Sequence, residues 1–371
     1  MLDPIVNFFT WVFQMVGRAI GFVIGVVLWP FMWAGRWYTQ RGWILKTIVG
    51  VVLVGLIAMY VMFVWNTQVW TNFNPNYVDA YTFGPPAGTR EEVSNEGAEG
   101  AVTTCTTSGI VTVTSGLIDF NVNQNAWISS TLAYKLGLFG IDWDRTPWFD
   151  NKASFQRGIH QAVRRTAVEL VDTIGRVRGT SQIDQNLQDA RGAVEFDEET
   201  WYFGFHPFGP KTPTPSFYRT AIQKFDAFNK RLLACEVVFN ARADNLARFV
   251  DRIASDLGST SEILSRQSQA GNSWLDARAA DRYWSAYGQL YGYYGILKAA
   301  RADFRAVIET RGLVPLFNQL EQQFTAALRI QPLIVFNSSE DGIFATHLTT
   351  MGFYMLRVRS NLVEIRTVLD R

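Results

Sequence analysis

The chain has 371 residues, 48% apolar, 14% aromatic and 18% charged, and its 34 basic and 33 acidic side chains leave a formal charge of +1. Such an apolar content excludes global disorder, near-neutrality without a basic stripe argues against a nucleic-acid partner, and two cysteines cannot build a disulfide-dense scaffold or a four-thiolate metal site. The average hides an asymmetry. Residues 1–70 carry Arg18, Arg36, Arg41 and Lys46 against Asp3 alone, with seven of the 13 tryptophans, so a +3 end is joined to a −2 body.

Residues 1–70 read as a membrane anchor. The stretch 44–65 (ILKTIVGVVLVGLIAMYVMFVW) has 18 uncharged residues from Thr47 to Val64, about 27 Å of helix, with Trp43 and Trp65 placed as interfacial aromatics. The competing reading is a buried core helix. Residues 4–35 are apolar but interrupted by Pro30 and Arg18. They read either as a first span bent by the proline, giving a helical hairpin, or as an interfacial segment lying on its aromatic face. Orientation is the same either way. Arg36, Arg41 and Lys46 precede the second stretch and no basic residue follows Trp65 until Arg90, so residues from about 70 onward are expected outside the cytoplasm. No small-x-small cleavage site follows the stretch, and the anchor is expected to be retained. The lipid bilayer is thus the first expected partner.

Residues 71–100, with Pro75, Pro85, Pro86 and an acidic run at Glu91, Glu92, Glu96 and Glu99, read as a tether and linker starting from Asn66. Residues 101–147 read as a small β/α subdomain. Its Thr/Val-rich stretch from Val102 to Val122 predicts one or two strands, and Asn125–Leu138 predicts a short amphipathic helix. From 148 to 371 the apolar spacing of three and four predicts helices over Ser154–Arg176, Ser181–Ala193, Ser216–Leu257, Ser273–Arg311, Leu313–Leu328 and Gly342–Leu369. Three of these exceed 25 residues. The expected fold is therefore mainly α: a membrane helix or helical hairpin, then an elongated antiparallel bundle with a small β patch.

Two clusters stand out as contact candidates. Trp284–Gly295 (WSAYGQLYGYYG) sets Gly288, Gly292 and Gly295 on one helix face beside Tyr291. Helical glycines cost roughly 1 kcal/mol each relative to alanine, so this face is read as close packing within the bundle, as an intersubunit contact or as a ligand groove. The loop Thr200–Pro215 (TWYFGFHPFGPKTPTP) holds Trp201, Tyr202, Phe203, Phe205, His206 and Phe208 among four prolines. It suits docking on a protein partner, packing back on the bundle, or chemistry with the carboxylates at 195–199.

Chemical signals are sparse. His160, His206 and His347 lie at no metal-ligand spacing, and no metal or cofactor is expected. The carboxylate groups Asp142/Asp144, Glu195/Asp197/Glu198/Glu199 and Glu340/Asp341 lack a motif that defines an acid and a base. GxGxxG after a strand, GxxxxGK[ST], GxSxG and HExxH are all absent. Cys105 and Cys235 admit three readings: a bridge permitted by an oxidising compartment, two unpaired thiols, or a catalytic thiol.

The basic, Trp-rich end RWYTQRGWILKTIVG, the proline-bearing linker and a helical body containing WYFGFHPFGP together resemble a proteobacterial inner-membrane family known as a domain of unknown function. The resemblance implies a Gram-negative periplasm and supplies no catalytic residues. The preferred expectation is a non-catalytic, membrane-anchored periplasmic scaffold or accessory subunit with membrane or periplasmic protein partners, or with itself as partner. The alternatives are a periplasmic hydrolase using carboxylates near 195–199 with His206, and a lipid or apolar-ligand binder using the face at 284–295.

Overall fold

The computed structural model describes residues 3–371 apart from 85–86, 88–90, 94–101, 139, 147, 177–182, 206, 271–275 and 339–345. The chain divides into two units, one through Met62 and one from Phe63 onward. The first holds α1 (Asp3–Thr39) and most of α2 (Trp43–Gln68). α1 continues unbroken through Pro30 and exposes Trp11, Phe13, Phe22, Trp29 and Trp33. At the turn between the helices the Tyr38 hydroxyl donates to Lys46 O at 3.0 Å. Among the described residues α2 is the one helix long and apolar enough to cross a membrane. Only 6% of its most apolar window is buried, which removes the reading of a core helix.

The second unit is mainly helical, with two short antiparallel ladders. β1 (Glu91–Val93) pairs with β2 (Val102–Thr104), and β3 (Phe203–Phe205) with β4 (Phe208–Pro210). The helices are α3 (Gly109–Asp119), α4 (Leu132–Leu136), α5 (Asn151–Glu169), α6 (Gln185–Val194), α7 (Thr214–Leu233), α8 (Ala243–Ala270), α9 (Ala277–Asp303), α10 (Arg305–Thr310), α11 (Val314–Leu328) and α12 (His347–Leu369). Wider π turns extend α3 over Phe120–Gln124 and α5 over Leu170–Ile174.

The centre of this unit is the contact of α5 with α9. A Cβ on Gly158 would lie 2.0 Å from Ser285 O, one on Gly288 2.1 Å from Phe155 O, and one on Gly292 2.9 Å from the Ala162 methyl. Only glycine permits backbones this close. The pairing 155 with 288 and 162 with 292 means that the two helices run in the same direction. The expected antiparallel arrangement therefore fails at the core, although it holds elsewhere. α8 and α12 are antiparallel, with Arg366 Nη1 2.7 Å from Asp251 Oδ1 and Ser261 Oγ 3.4 Å from Gly352 O. α6 and α7 are antiparallel through Lys224–Asp189 and Arg231–Asp184.

Residues 63–83, which include the first part of the expected tether, pack on the body, while 85–86, 88–90 and 94–100 of the expected linker lie outside the described residues. Phe63, Thr67 and Val78 are buried. Trp70 stacks on Phe155 at 4.9 Å and Tyr77 on Tyr291 at 4.3 Å, with Phe73 wedged between Phe155 and Tyr291. Lys152 on α5 donates from Nζ to Asn66 O and Val69 O at 2.8 and 2.7 Å. It thereby caps carbonyls that the end of α2 leaves without helical partners. Burial pushes this ammonium down to a pKa of about 8. Aromatic residues among the prolines give 63–83 an apolar payload that a polar linker would lack.

Three further expectations are corrected. The Thr/Val-rich stretch forms a strand only at Val102–Thr104, and from Gly109 it is helix α3. Asp303 on α9 overrides the β propensity: it accepts from Gly109 N at 2.8 Å, Ile110 N at 2.9 Å and Ser108 Oγ at 2.7 Å, satisfying the amides of the first turn. The helix expected over 125–138 is reduced to a 3-10 turn at Ile128–Ser130 and the short α4, started by Thr131, whose Oγ1 accepts from Tyr134 N. The single long helix over 216–257 is two helices. α7 ends where Cys235 takes φ +60°, a left-handed terminator usually supplied by glycine. Cys235 is disulfide-bonded to Cys105, with Cα atoms 5.6 Å apart. In the body, α8 and α9 exceed 25 residues and α12 has 23.

Gly158→Ala and Gly288→Ala should each lower folding stability by about 1–3 kcal/mol through forced separation of α5 and α9. Gly192→Ala, on an exposed face of α6 where a Cβ would meet nothing within 4 Å, should raise it by about 0.5–1 kcal/mol. Thermal unfolding of the three full-length variants, followed by circular dichroism, checks both signs.

Candidate partner-contact surface

The β3–β4 hairpin rises from a footing made by α5, α6 and α7. Thr214, at the start of α7, closes its base: the amide donates to Thr200 O at 3.0 Å and the hydroxyl to Asp197 O at 2.7 Å. Lys211 N donates to Tyr202 O at 2.8 Å. Phe196 and Phe217 stack beneath at 3.6 Å, and Trp127 donates from its indole to Glu198 O at 2.8 Å. On this base Phe205 pairs with Phe208 across the turn. Phe203 meets Phe208 edge to face at 4.9 Å and Trp201 meets Tyr202 at 6.4 Å. Tyr202 is 63% and Phe208 78% exposed, while Trp201 and Phe203 are half-buried. His206 lies outside the described residues.

The acidic turn leading into the hairpin is engaged in ion pairs. Glu198 lies 2.8 Å from Arg164 and 3.8 Å from Arg157, which is also 3.6 Å from Glu199. Burial lifts the Glu198 carboxyl above its ordinary range against the pull of these two cations. Glu195 pairs with Arg191 one turn earlier. Asp197 accepts from Glu199 N and the Thr200 hydroxyl. These carboxylates serve as structural anions.

Arg157 links this turn to a polar cleft of about 400 Å³ at the start of α5 and α9, lined by Tyr134, Ser154, Arg157, Arg278, Asp281 and Arg282 among others. Arg157 donates to Ser129 Oγ and Tyr134 Oη at 3.1 and 2.7 Å. Burial raises the Tyr134 phenol to about 12. Ser154 Oγ donates to Asp281 Oδ1 at 3.3 Å. Neither described histidine lines the cleft, and none of the 195–199 carboxylates reaches it. Among the described residues no group of three or more His, Cys, Asp or Glu could hold a metal ion.

The two described histidines have structural partners. His160 is buried between Trp127 and Tyr218, its ring 4.2 Å from the tyrosine ring. Its Nε2–H donates to Val194 O at 2.8 Å. Burial, aided by Arg164, pushes its pKa down to about 3. His347 Nδ1 accepts from Phe336 N at 3.0 Å. The glycine–tyrosine face is occupied from within the chain. Gly288 and Gly292 meet α5, a Cβ on Gly295 would meet the Tyr77 hydroxyl at 2.1 Å, and Tyr291 is buried under Phe73 and Tyr77. That face is close packing and leaves no open surface for a partner or a ligand. Of the two contact candidates, the hairpin alone presents exposed aromatics among the described residues.

The family described as "Uncharacterized protein conserved in bacteria (DUF2333)" matches residues 38–280 and 265–371. The chain belongs to this family. The match begins just before α2 and takes in the aromatic hairpin and every helix of the body. No curated protein and no solved structure matches the chain.

His160 sets a pH dependence. An unfolded imidazole binds a proton below about pH 6.5, the folded one only near pH 3. Between those values the unfolded state holds more protons, so stability is full above the window and is lost as pH falls through it. His160→Gln, which keeps an N–H donor without a titrating ring, should flatten the dependence of the urea midpoint on pH between about 6.5 and 4. An unchanged slope would remove His160 as its source.

Proposed function

We propose that this family member is a non-catalytic accessory or scaffolding subunit of the bacterial envelope. It is held in the inner membrane by α2, its body lies in the periplasm, and the β3–β4 hairpin docks on a membrane or periplasmic protein or on a second copy. The observation that carries this reading is the exposure of Tyr202 and Phe208 on a hairpin whose base is fixed by Thr214, Trp127 and Glu198. Aromatics held rigidly at the surface give contact area at low entropic cost. The membrane assignment is supported by the apolar α2, the orientation by Arg36, Arg41 and Lys46 ahead of it. The Cys105–Cys235 disulfide suits an oxidising, extracytoplasmic compartment. Against a hydrolase, the acidic residues at 195–199 are held in ion pairs and turn contacts away from the cleft.

Isolation of the full chain from native membranes in mild detergent should bring a defined protein with it. Tyr202→Ser combined with Phe208→Ser should remove that protein without changing thermal unfolding. A photo-crosslinking residue at position 208 should join the same protein, whereas one at the exposed Ser255 of α8 should not. A co-purifying set unaffected by the double substitution would refute the hairpin as the contact. Compartment has its own test: in intact cells neither cysteine should react with an alkylating reagent until reductant is added. Free thiols there would overturn the periplasmic placement.

A further inference from the structure

The loop between α4 and α5 is pinned to the last turns of α2. Trp143 packs its ring 4.6 Å from that of Phe63, a residue inside the apolar run that ends at Trp65. Phe63 is 3% exposed, so protein rather than lipid covers it. Trp143 is itself tied to α4, donating from its indole to Ala133 O at 2.9 Å. Farther along the loop, Trp148 O accepts from Gln68 Nε2 at 3.2 Å, at the last residue of α2. The loop is therefore fastened at two levels of α2, one just inside and one just beyond the end of the apolar run.

From the end of α4 and this fastened loop three large apolar side chains project outward: Leu136, Ile141 and Trp148, each about half exposed at 47%, 53% and 46%. Among the described residues nothing covers these exposed faces. Trp65 on α2, two residues past Phe63, is exposed as well. A bilayer ends its hydrocarbon where an apolar helix run gives way to Trp, and amphipathic aromatics seat in that zone.

We infer that α4 and the loop after it make a second membrane contact, in which Leu136, Ile141 and Trp148 insert at the interface of the leaflet from which α2 emerges. The inference rests on the reading of α2 as a membrane span. Lys135 on α4 and Arg145 in the loop are matched in number by Asp142 and Asp144, so apolar insertion rather than attraction to anionic headgroups drives the contact.

Nitroxide labels on Leu136→Cys, Ile141→Cys and Trp148→Cys, placed one at a time in the full chain, test this in vesicles of phosphatidylcholine and phosphatidylglycerol. Val54→Cys in the middle of α2 and Ser255→Cys on α8 are the references. All three loop labels should collide with oxygen more, and with a water-soluble nickel chelate less, than the label at 255, and added salt should not reverse this. Circular dichroism confirms that each labelled chain is folded. Loop labels that match position 255 while position 54 reads as hydrocarbon would overturn the second contact and leave the anchor intact. A label at 54 that is open to nickel would overturn both. Protection that arises only as the protein-to-lipid ratio is raised would assign the loop to a protein neighbour and overturn the lipid assignment.

Discussion

The backbone-to-backbone approach of α5 and α9 is the constraint on which the body depends. Where Gly158, Gly288 and Gly292 bring the helices together, their larger neighbours are displaced to the flanks, and these are the rings that organise everything else. Phe155 and Tyr291 receive Trp70, Phe73 and Tyr77. On other sides of α9, Tyr283 and Tyr287 donate their hydroxyls to Ile330 O and Leu328 O at the end of α11, and Tyr293 donates to Asp256 on α8. Each phenol buries a large apolar ring while its oxygen finds a partner, which is the condition for burying tyrosine without loss. α9 thus acts as an axle, and the spacing set by three absent side chains fixes how closely the other elements can sit.

The ion pairs have a similar structural character. Arg165 grips Asp256 with two nitrogens at 3.0 and 2.8 Å, and Asp256 also accepts from Tyr293, joining α5, α8 and α9 at one carboxylate. Glu198 fastens the hairpin footing to α5 through Arg164, and Asp303 starts α3. These carboxylates are committed to structural partners, while burial lifts Glu198 and Asp303 above the ordinary carboxylate range.

What the sequence revealed and what it hid have physical causes. The long helices were legible because Ile159, Val163, Leu246, Val250, Ile253 and their neighbours keep the 3.6-residue period on one buried face. The long apolar helix α2 was legible because no charge interrupts it from Thr47 to Val64. α3 was not, since Val111, Val113 and Thr114 speak for a strand and the residue that forces a helix, Asp303, stands nearly 200 positions away. The break after α7 was hidden for a comparable reason. No glycine or proline marks it, and the left-handed turn falls on a cysteine whose bond is to residue 105. The glycine cluster announced close approach but not its partner, and Gly158, standing alone in a polar stretch, drew no notice. The hairpin's composition was visible, but which of its rings face outward depends on Thr214 and the strand pairing.

The long-range fastenings also dictate an order of assembly. Tyr77 meets Tyr291 across 214 positions, α3 meets Asp303 across more than 190, and Cys105 joins Cys235 across 130. The first body residues after α2 therefore find their permanent neighbours only when α9 has arrived. Until then the rings at 70–81 and the Thr/Val-rich segment stand open, and the thiol of Cys105 waits for its mate. Non-local closure of this kind is slow and exposes apolar surface while it lasts. A chain closed by contacts this distant leaves its early apolar segments uncovered until its later helices are made.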